Sequence, residues 1–222
     1  MKSYDTIAYY GANWGLPIYG FDKLDGSNLR FEASQKRGIY KFGTRGMMID
    51  EKHEEFGFAV DLIRNKYEEP LMKVFKSKDY RNILSFVCFA ELWGSSSAFG
   101  QHDFVNDKFD VTLFDIALYK KGLVAPKQFI GDFGHTGIPR IVYTGNLNKE
   151  LIQRVKSNEF NLTEGIIAKG LLKTRKGNDE LYYCKIKTND WFDRLRNKSP
   201  ELYEEELKQA KITEYESDNS RV

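Results

Sequence analysis

The stretch Tyr19-Gly20-Phe21-Asp22-Lys23-Leu24-Asp25-Gly26-Ser27-Asn28-Leu29-Arg30-Phe31-Glu32 decides how the chain is read. It predicts a strand, a turn at Asp25-Gly26-Ser27 and a second strand through Leu29-Arg30-Phe31. A lysine at the end of a strand, just before a tight turn, can point into a groove instead of sweeping solvent. To act as a nucleophile it must lose its proton, which nearby cations or desolvation promote. The plainer account is a surface lysine before an Asp-Gly hairpin. A pattern such as KxDG occurs by chance in about one chain in twenty of this size, so it gains meaning only from its company.

Outward from that stretch, Gly38 to Phe42 reads as a further strand. Asp50 is placed to cap a helix running through Phe56, Val60 and Ile63 to about Glu69, with Pro70 opening a second short helix. Ile83 to Trp93 and Val111 to Tyr119 are apolar runs suited to central strands. Asn148 caps a helix with Leu151, Ile152 and Val155 on one face. Gly165 to Ala168 and Leu181 to Lys187 read as late strands. Ser199-Pro200 supplies a cap and a first-turn proline for a closing helix, Glu201 to about Lys211, with a polar, fraying end. The sum is an α+β fold dominated by antiparallel strands.

At 222 residues, with 41% hydrophobic and 14% aromatic residues, the chain can bury a full core without staples. Composition excludes long disorder, collagen and disulfide scaffolds. No apolar run is long enough to cross a membrane, and the first residues lack the apolar segment of a secretory signal. The expectation is a cytoplasmic monomer with Cys88 and Cys184 as buried free thiols. The formal net charge of +2 is unevenly spread: residues 201–222 hold seven acids and three bases, which leaves the rest of the chain at +6. Six bases lie between Lys169 and Lys187, among them Arg175 and Lys176. Such a body can meet a polyanion, although charge alone favours a solvated strand pair.

Lys185 and Lys187, two apart on a strand, share one face with Tyr183, while Tyr182, Cys184 and Ile186 fill the other. Two lysines aimed into one cleft repel unless an anion, with phosphate the obvious candidate, lies between them. On its own this pair reads better as an edge strand blunted by solvent-facing charge. Glu164 and Lys169 are five apart, which puts them on opposite faces unless Gly165 resets the pleat. A carboxylate beside several lysines can hold a divalent cation next to a phosphate. Phe114 could stack on a base, though such a residue is more often core. His53, His102 and His135 lack metal-ligand spacing, and neither a P-loop nor a GxGxxG is present.

In order, Lys23-to-Asn28, Thr44-Arg45-Gly46, Glu91-Leu92-Trp93-Gly94, Leu113-to-Ile116, Glu164-to-Lys169 and Lys185-to-Lys187 resemble motifs I, Ia, III, IIIa, IV and V of the covalent nucleotidyltransferase superfamily of polynucleotide ligases and capping enzymes. Ser27-Asn28 and the segment Ile138 to Val155 make the ATP-dependent RNA ligases of the bacteriophage RNA-ligase-2 type the nearest likeness. The resemblance implies an ATP-grasp-like nucleotidyltransferase domain of mainly antiparallel sheets flanked by helices, over residues 1–198, and a C-terminal helix with an acidic tail, 199–222. Only 35 residues follow Lys187, too few for the OB domain of DNA ligases and capping enzymes, so a minimal catalytic domain is expected.

The roles implied are these. Lys23 attacks the α-phosphate of ATP and becomes Lys–AMP. Arg45 and Glu91 contact the ribose or its neighbourhood, and Phe114 stacks on adenine. Glu164 binds Mg²⁺ or Mn²⁺. Lys169, Lys185 and Lys187 contact phosphate and stabilise the charge developing on it. Asn28 acts near the transferred AMP. AMP passes to a 5′-phosphate, and attack by a 3′-OH seals an RNA strand. A minimal DNA ligase, and a non-catalytic module binding nucleotides or nucleic-acid ends, are the alternatives.

Overall fold

The two strands flanking Asp25-Gly26 part company. In a computed structural model of the protein, which describes residues 1–11, 13–173 and 179–219, β1 (Pro17–Lys23) and β2 (Ser27–Ser34) enter different sheets. The expected Asp-Gly hairpin is therefore replaced by a crossing between two compact units. One comprises Met1–Asp5 and Asp25–Pro139, the other Thr6–Leu24 and Arg140–Val222. Neither strand has an edge left for the other. Both edges of β1 are taken by β8 (Ile141–Asn146) and β9 (Gly165–Lys173), and both edges of β2 by β3 (Gly38–Thr44) and β5 (Phe86–Trp93).

The larger sheet, in the order β4-β3-β2-β5-β6-β7, adds β4 (Met48–Ile49), β6 (Asp110–Leu118) and β7 (Gly122–Leu123). All its pairings are antiparallel. Inward alternation along β2 buries Leu29, Phe31 and Ala33 completely. Against them lies α1 (Gly57–Phe75) through Ala59, Val60, Ile63, Tyr67, Leu71 and Phe75. Phe75 stacks on Phe86 with ring centroids 3.6 Å apart. The buried Tyr67 hydroxyl donates to the Val111 carbonyl and accepts from the Leu113 N–H.

This helix corrects the two-helix expectation. Pro70 sits inside one continuous α1, held on both sides by buried Tyr67, Leu71 and Met72, which outweigh the missing hydrogen bond. Asp50 instead closes a turn, accepting from Lys52 N–H. The α2 helix (Pro126–Phe133) completes this unit's apolar core through Phe129 and Phe133.

Gly26 explains itself by proximity. A Cβ there would lie 2.0 Å from the Leu92 carbonyl oxygen and 3.2 Å from Trp93 Cβ. Gly26→Ala must push β5 backbone aside, and overpacking of this kind costs about 1–3 kcal/mol. The urea midpoint is expected to fall by that amount at unchanged m-value. A midpoint equal to wild type would show that the turn has slack.

The second sheet, in the order β10-β9-β1-β8, is also antiparallel and ends on β10 (Asp179–Lys187). Its strands are longer than the expected late strands, and Arg175 and Lys176, between β9 and β10, lie outside the described residues. One face carries Ile18, Ile166, Ala168, Cys184 and Ile186 into a core with Leu151, Ile152 and Val155 of α3 (Lys149–Lys156). Asn148 caps α3 as the sequence predicts, its side chain accepting from Leu151 N–H at 2.8 Å. Both thiols are free and buried, and burial pushes that of Cys184 up to about 12.

Two helices follow β10. α4 (Asn189–Lys198) begins at Thr188, whose hydroxyl accepts from Trp191 N–H at 3.1 Å. This helix was not anticipated, although Thr188-Asn189-Asp190 carries an N-terminal signature. α5 (Pro200–Asn219) starts where Ser199-Pro200 places it but continues past Lys211. Its inward residues are Tyr203, Glu206, Leu207 and Ala210, at helical spacing, and none of them is fully buried.

Candidate functional site

In the smaller sheet, strand register assembles the lysines. Lys23 lies opposite Gly165, and Gly165 opposite Lys187. Ile167 lies between Phe21 and Lys185, and Lys169 between Tyr19 and Tyr183. Residues directly opposite in antiparallel strands point to the same side. Lys23, Lys169, Lys185 and Lys187 therefore share the face opposite the apolar core.

They are not the solvated edge lysines that charge alone suggests. Lys169, Lys185 and Lys187 keep only 3%, 8% and 5% of their surface. The β10 edge is closed from outside. Lys185 N–H donates to the Ala8 carbonyl at 2.9 Å, and Tyr9 bridges to Lys185.

Glu164 resolves the parity question. It precedes β9, so the alternation of the strand does not apply to it. Gly165 lets β9 and β10 approach, since a Cβ there would lie 2.1 Å from the Ile186 carbonyl oxygen. The Glu164 carbonyl accepts from Thr188 N–H, which pins the backbone. Its carboxylate then reaches Lys23 Nζ at 2.6 Å and Lys187 Nζ at 3.0 Å. Burial pushes this carboxyl up, but the charges of Lys23 and Lys187 outweigh burial and hold it below the usual carboxylate range.

Aromatic rings flank these lysines within this unit. Lys187 Nζ lies 3.4 Å from the Trp191 ring centroid, Lys185 Nζ 4.4 Å from that of Tyr9, and Lys169 Nζ 4.9 Å from that of Phe21. Such contacts orient an ammonium without neutralising it. Burial lowers the Lys185 pKa, opposed by Glu206 and reinforced by Lys187 and Lys23.

Two participants escaped the sequence reading. Glu206 of α5 reaches Lys187 at 3.3 Å and Lys185 at 3.4 Å, and accepts from the Tyr9 hydroxyl. The helical face shared by Tyr203 and Glu206 was a usable signal. Tyr9, in an apolar segment far from any motif, offered none.

The remaining candidates lie in the larger unit. Asn28 of β2 and Glu91 of β5 are directly opposite, and Thr112 of β6 flanks Glu91 on the other side. Trp93 Nε1 donates to Thr112 Oγ1 at 2.8 Å. Phe114 is the extra residue of a bulge, since Phe89 pairs with Asp115 and Ala90 with Leu113. A bulge re-aims a side chain at a functional position. Phe114 is half-buried and meets the Tyr4 ring edge-on at 5.0 Å, while the Tyr4 hydroxyl donates to buried Asp115 at 2.5 Å. Arg45 is exposed on the turn between β3 and β4, which Thr44 closes by bonding Met47.

The turn after Lys23 has its own brace. Asp25 accepts from Phe99 N–H at 2.7 Å, and His102 bridges the Ser27 and Ser97 hydroxyls, each at 2.7 Å. His102 is thus a structural histidine. Among the described residues no group of three or more His, Cys, Asp and Glu is placed to hold a metal, and no helix is long and apolar enough to cross a membrane.

Chemically, the lysine face can bind a polyanion, and its buried carboxylate can orient one amine. No protein-family model and no curated protein matches the chain. Solved structures do. A Naegleria gruberi RNA ligase with pyrophosphate superposes with a TM-score of 0.59 at 16% identity, over 89% of this chain and 58% of that one. A variant of the same ligase with AMP and Mn gives 0.56 at 16% identity, over 87% and 58%, and another with ATP and Mn gives 0.55 at 16%, over 87% and 59%. The chain spans somewhat over half the length of the ligase chains it matches.

Proposed function

From the RNA-ligase-like nucleotidyltransferase fold as premise, we propose that this chain is an ATP-dependent RNA ligase acting through a covalent Lys23–AMP. The observation that carries the reading is the Lys23–Glu164–Lys187 chain, with Glu164 and Lys187 buried, on a face shared with Lys169 and Lys185. An amine attacks phosphorus only after losing its proton. Glu164 Oε2, 2.6 Å from Lys23 Nζ, is in place to orient the amine, while Lys169, Lys185 and Lys187 on the same face favour release of its proton to solvent before attack.

The new bond joins Lys23 Nζ to the α-phosphorus of ATP as the bond to the bridging oxygen breaks, and pyrophosphate leaves. Lys169, Lys185 and Lys187 stabilise the negative charge growing on the phosphoryl oxygens. AMP then moves to a 5′-phosphate, and a 3′-OH displaces it to seal the strand. In the larger unit, Phe114 stacks on the base, Glu91 and Arg45 bind near the ribose, and Asn28 acts in the nucleic-acid steps.

A divalent cation fits the donor set in one way. One or two carboxylates suit Mg²⁺ or Mn²⁺ when phosphate oxygens and waters complete the shell, and Glu164 is the buried carboxylate beside the lysines. When bound, the ion supplies charge neutralisation on phosphate.

The test is incubation with α-labelled ATP or GTP and Mg²⁺ or Mn²⁺, then denaturing electrophoresis. ATP should label the protein. Supplied with 5′-phosphate and 3′-OH ends, the labelled protein should adenylylate and seal RNA. Sealing should require a ribose 3′ end and fall steeply with salt. Equal or faster sealing of all-DNA nicks would reassign it as a DNA ligase, and absence of any covalent label would leave a binding module.

A further inference from the structure

The lysines assigned to phosphate already hold an anion supplied by the chain itself. Glu206 Oε2 is 3.3 Å from Lys187 Nζ and 3.4 Å from Lys185 Nζ, and it accepts a hydrogen bond from Tyr9. One carboxylate between two ammonium groups is the arrangement a phosphate oxygen would adopt there. We propose that Glu206 is an internal competitor for the phosphate site, so that substrate phosphate must displace it and the position of α5 sets nucleotide affinity. The inference rests on the reading of Lys185 and Lys187 as phosphate contacts.

The packing of α5 suits displacement. Among its residues 200–211 none is fully buried, and Leu202 is 47% exposed. Its contacts with α4 include Arg196 with Tyr203, at 2.8 Å to the hydroxyl and 4.7 Å over the ring, and an edge contact of Tyr203 with Phe192. The ion pairs of Glu206 with Lys185 and Lys187 help seat the helix, so a phosphate that takes those lysines favours its release. Glu164 is different in kind. It is fixed by backbone just before β9 and buried to 4% exposure, so it stays when phosphate arrives. Glu206 rides on a helix that can leave.

The test uses inorganic pyrophosphate as probe, with affinity measured by calorimetry on the full chain. Glu206→Gln keeps the shape and removes the charge. It should bind pyrophosphate roughly tenfold more tightly than wild type, the scale of one charge-assisted contact. Tyr9→Phe removes only the hydroxyl that holds Glu206 in place, and should shift affinity the same way by less. In wild type, pyrophosphate should also speed tryptic cleavage at Lys208 and Lys211, because the helix is released. Equal or weaker binding by both variants, with cleavage slowed by pyrophosphate, would overturn the competitor role and make Glu206 a support for the lysines. Failure of wild type and variants alike to bind pyrophosphate would overturn the phosphate reading as well.

Discussion

Lys23→Ala should give no covalent label from ATP while remaining folded. In the proposed reaction Lys23 contributes the attacking nitrogen, and alanine has none, so the loss is complete rather than graded. Its side chain is about a quarter exposed, and the sheet around it is held by β9 and β8 pairing, so the structural cost is that of one ion pair. Lys23→Arg sharpens the experiment. Arginine keeps the positive charge beside Glu164 but does not deprotonate in proteins, so it should restore stability without restoring label. Label retained in either variant would remove Lys23 as nucleophile.

Lys187→Ala carries the second largest effect, and it acts on two quantities. Removing one charge-assisted contact to a developing oxyanion should raise the barrier to adenylylation by about 2–4 kcal/mol, some thirtyfold to a thousandfold in rate. The same change removes one of the two cations that hold the Glu164 carboxyl below its ordinary value of 4.5. A carboxylate depressed in the folded state stabilises the protein above its unfolded pKa, and that contribution is lost as pH falls through the lower folded value. In wild type, stability should therefore hold until pH drops below the ordinary carboxylate range. In Lys187→Ala one of those opposing charges is gone, the folded value rises, and the stability lost on acidification is smaller. Urea midpoints between about pH 3 and pH 7 would show the two profiles diverge. Parallel profiles, or a wild-type labelling rate, would return Lys187 to the role of a passive edge residue.

Which parts of this site were legible depends on what kind of signal each residue leaves. Lys185 and Lys187 announce a shared face by spacing alone, and register places Lys23 and Lys169 on it. Asn148 and Ser199-Pro200 mark their helices through local capping chemistry. The parting of β1 and β2 leaves no such trace. An Asp-Gly turn between two short strands is the usual hairpin signal, and only the competing partners of each strand overrule it. Pro70 misled for the mirror reason, since burial of its neighbours is a tertiary fact that local propensity does not contain. Glu206 lay in a run of acids where composition distinguishes none. What singles it out is the turn of α5 that faces Lys185 and Lys187.

The separation of β1 from its partners also fixes an order of events during synthesis. The strand bearing Lys23 emerges early, yet its neighbours are β8 at Ile141–Asn146 and β9 at Gly165–Lys173. Asp25–Pro139, together with the first five residues, forms its own sheet and core and can condense while the strand waits unpaired. Such distant pairings make the smaller unit the slow, high-contact-order part of folding. The carboxylate paired with Lys23, Glu164, lies in the same late segment as both neighbours. A chain that stops before Glu164 thus carries Lys23 without Glu164, Lys169, Lys185 and Lys187 around it.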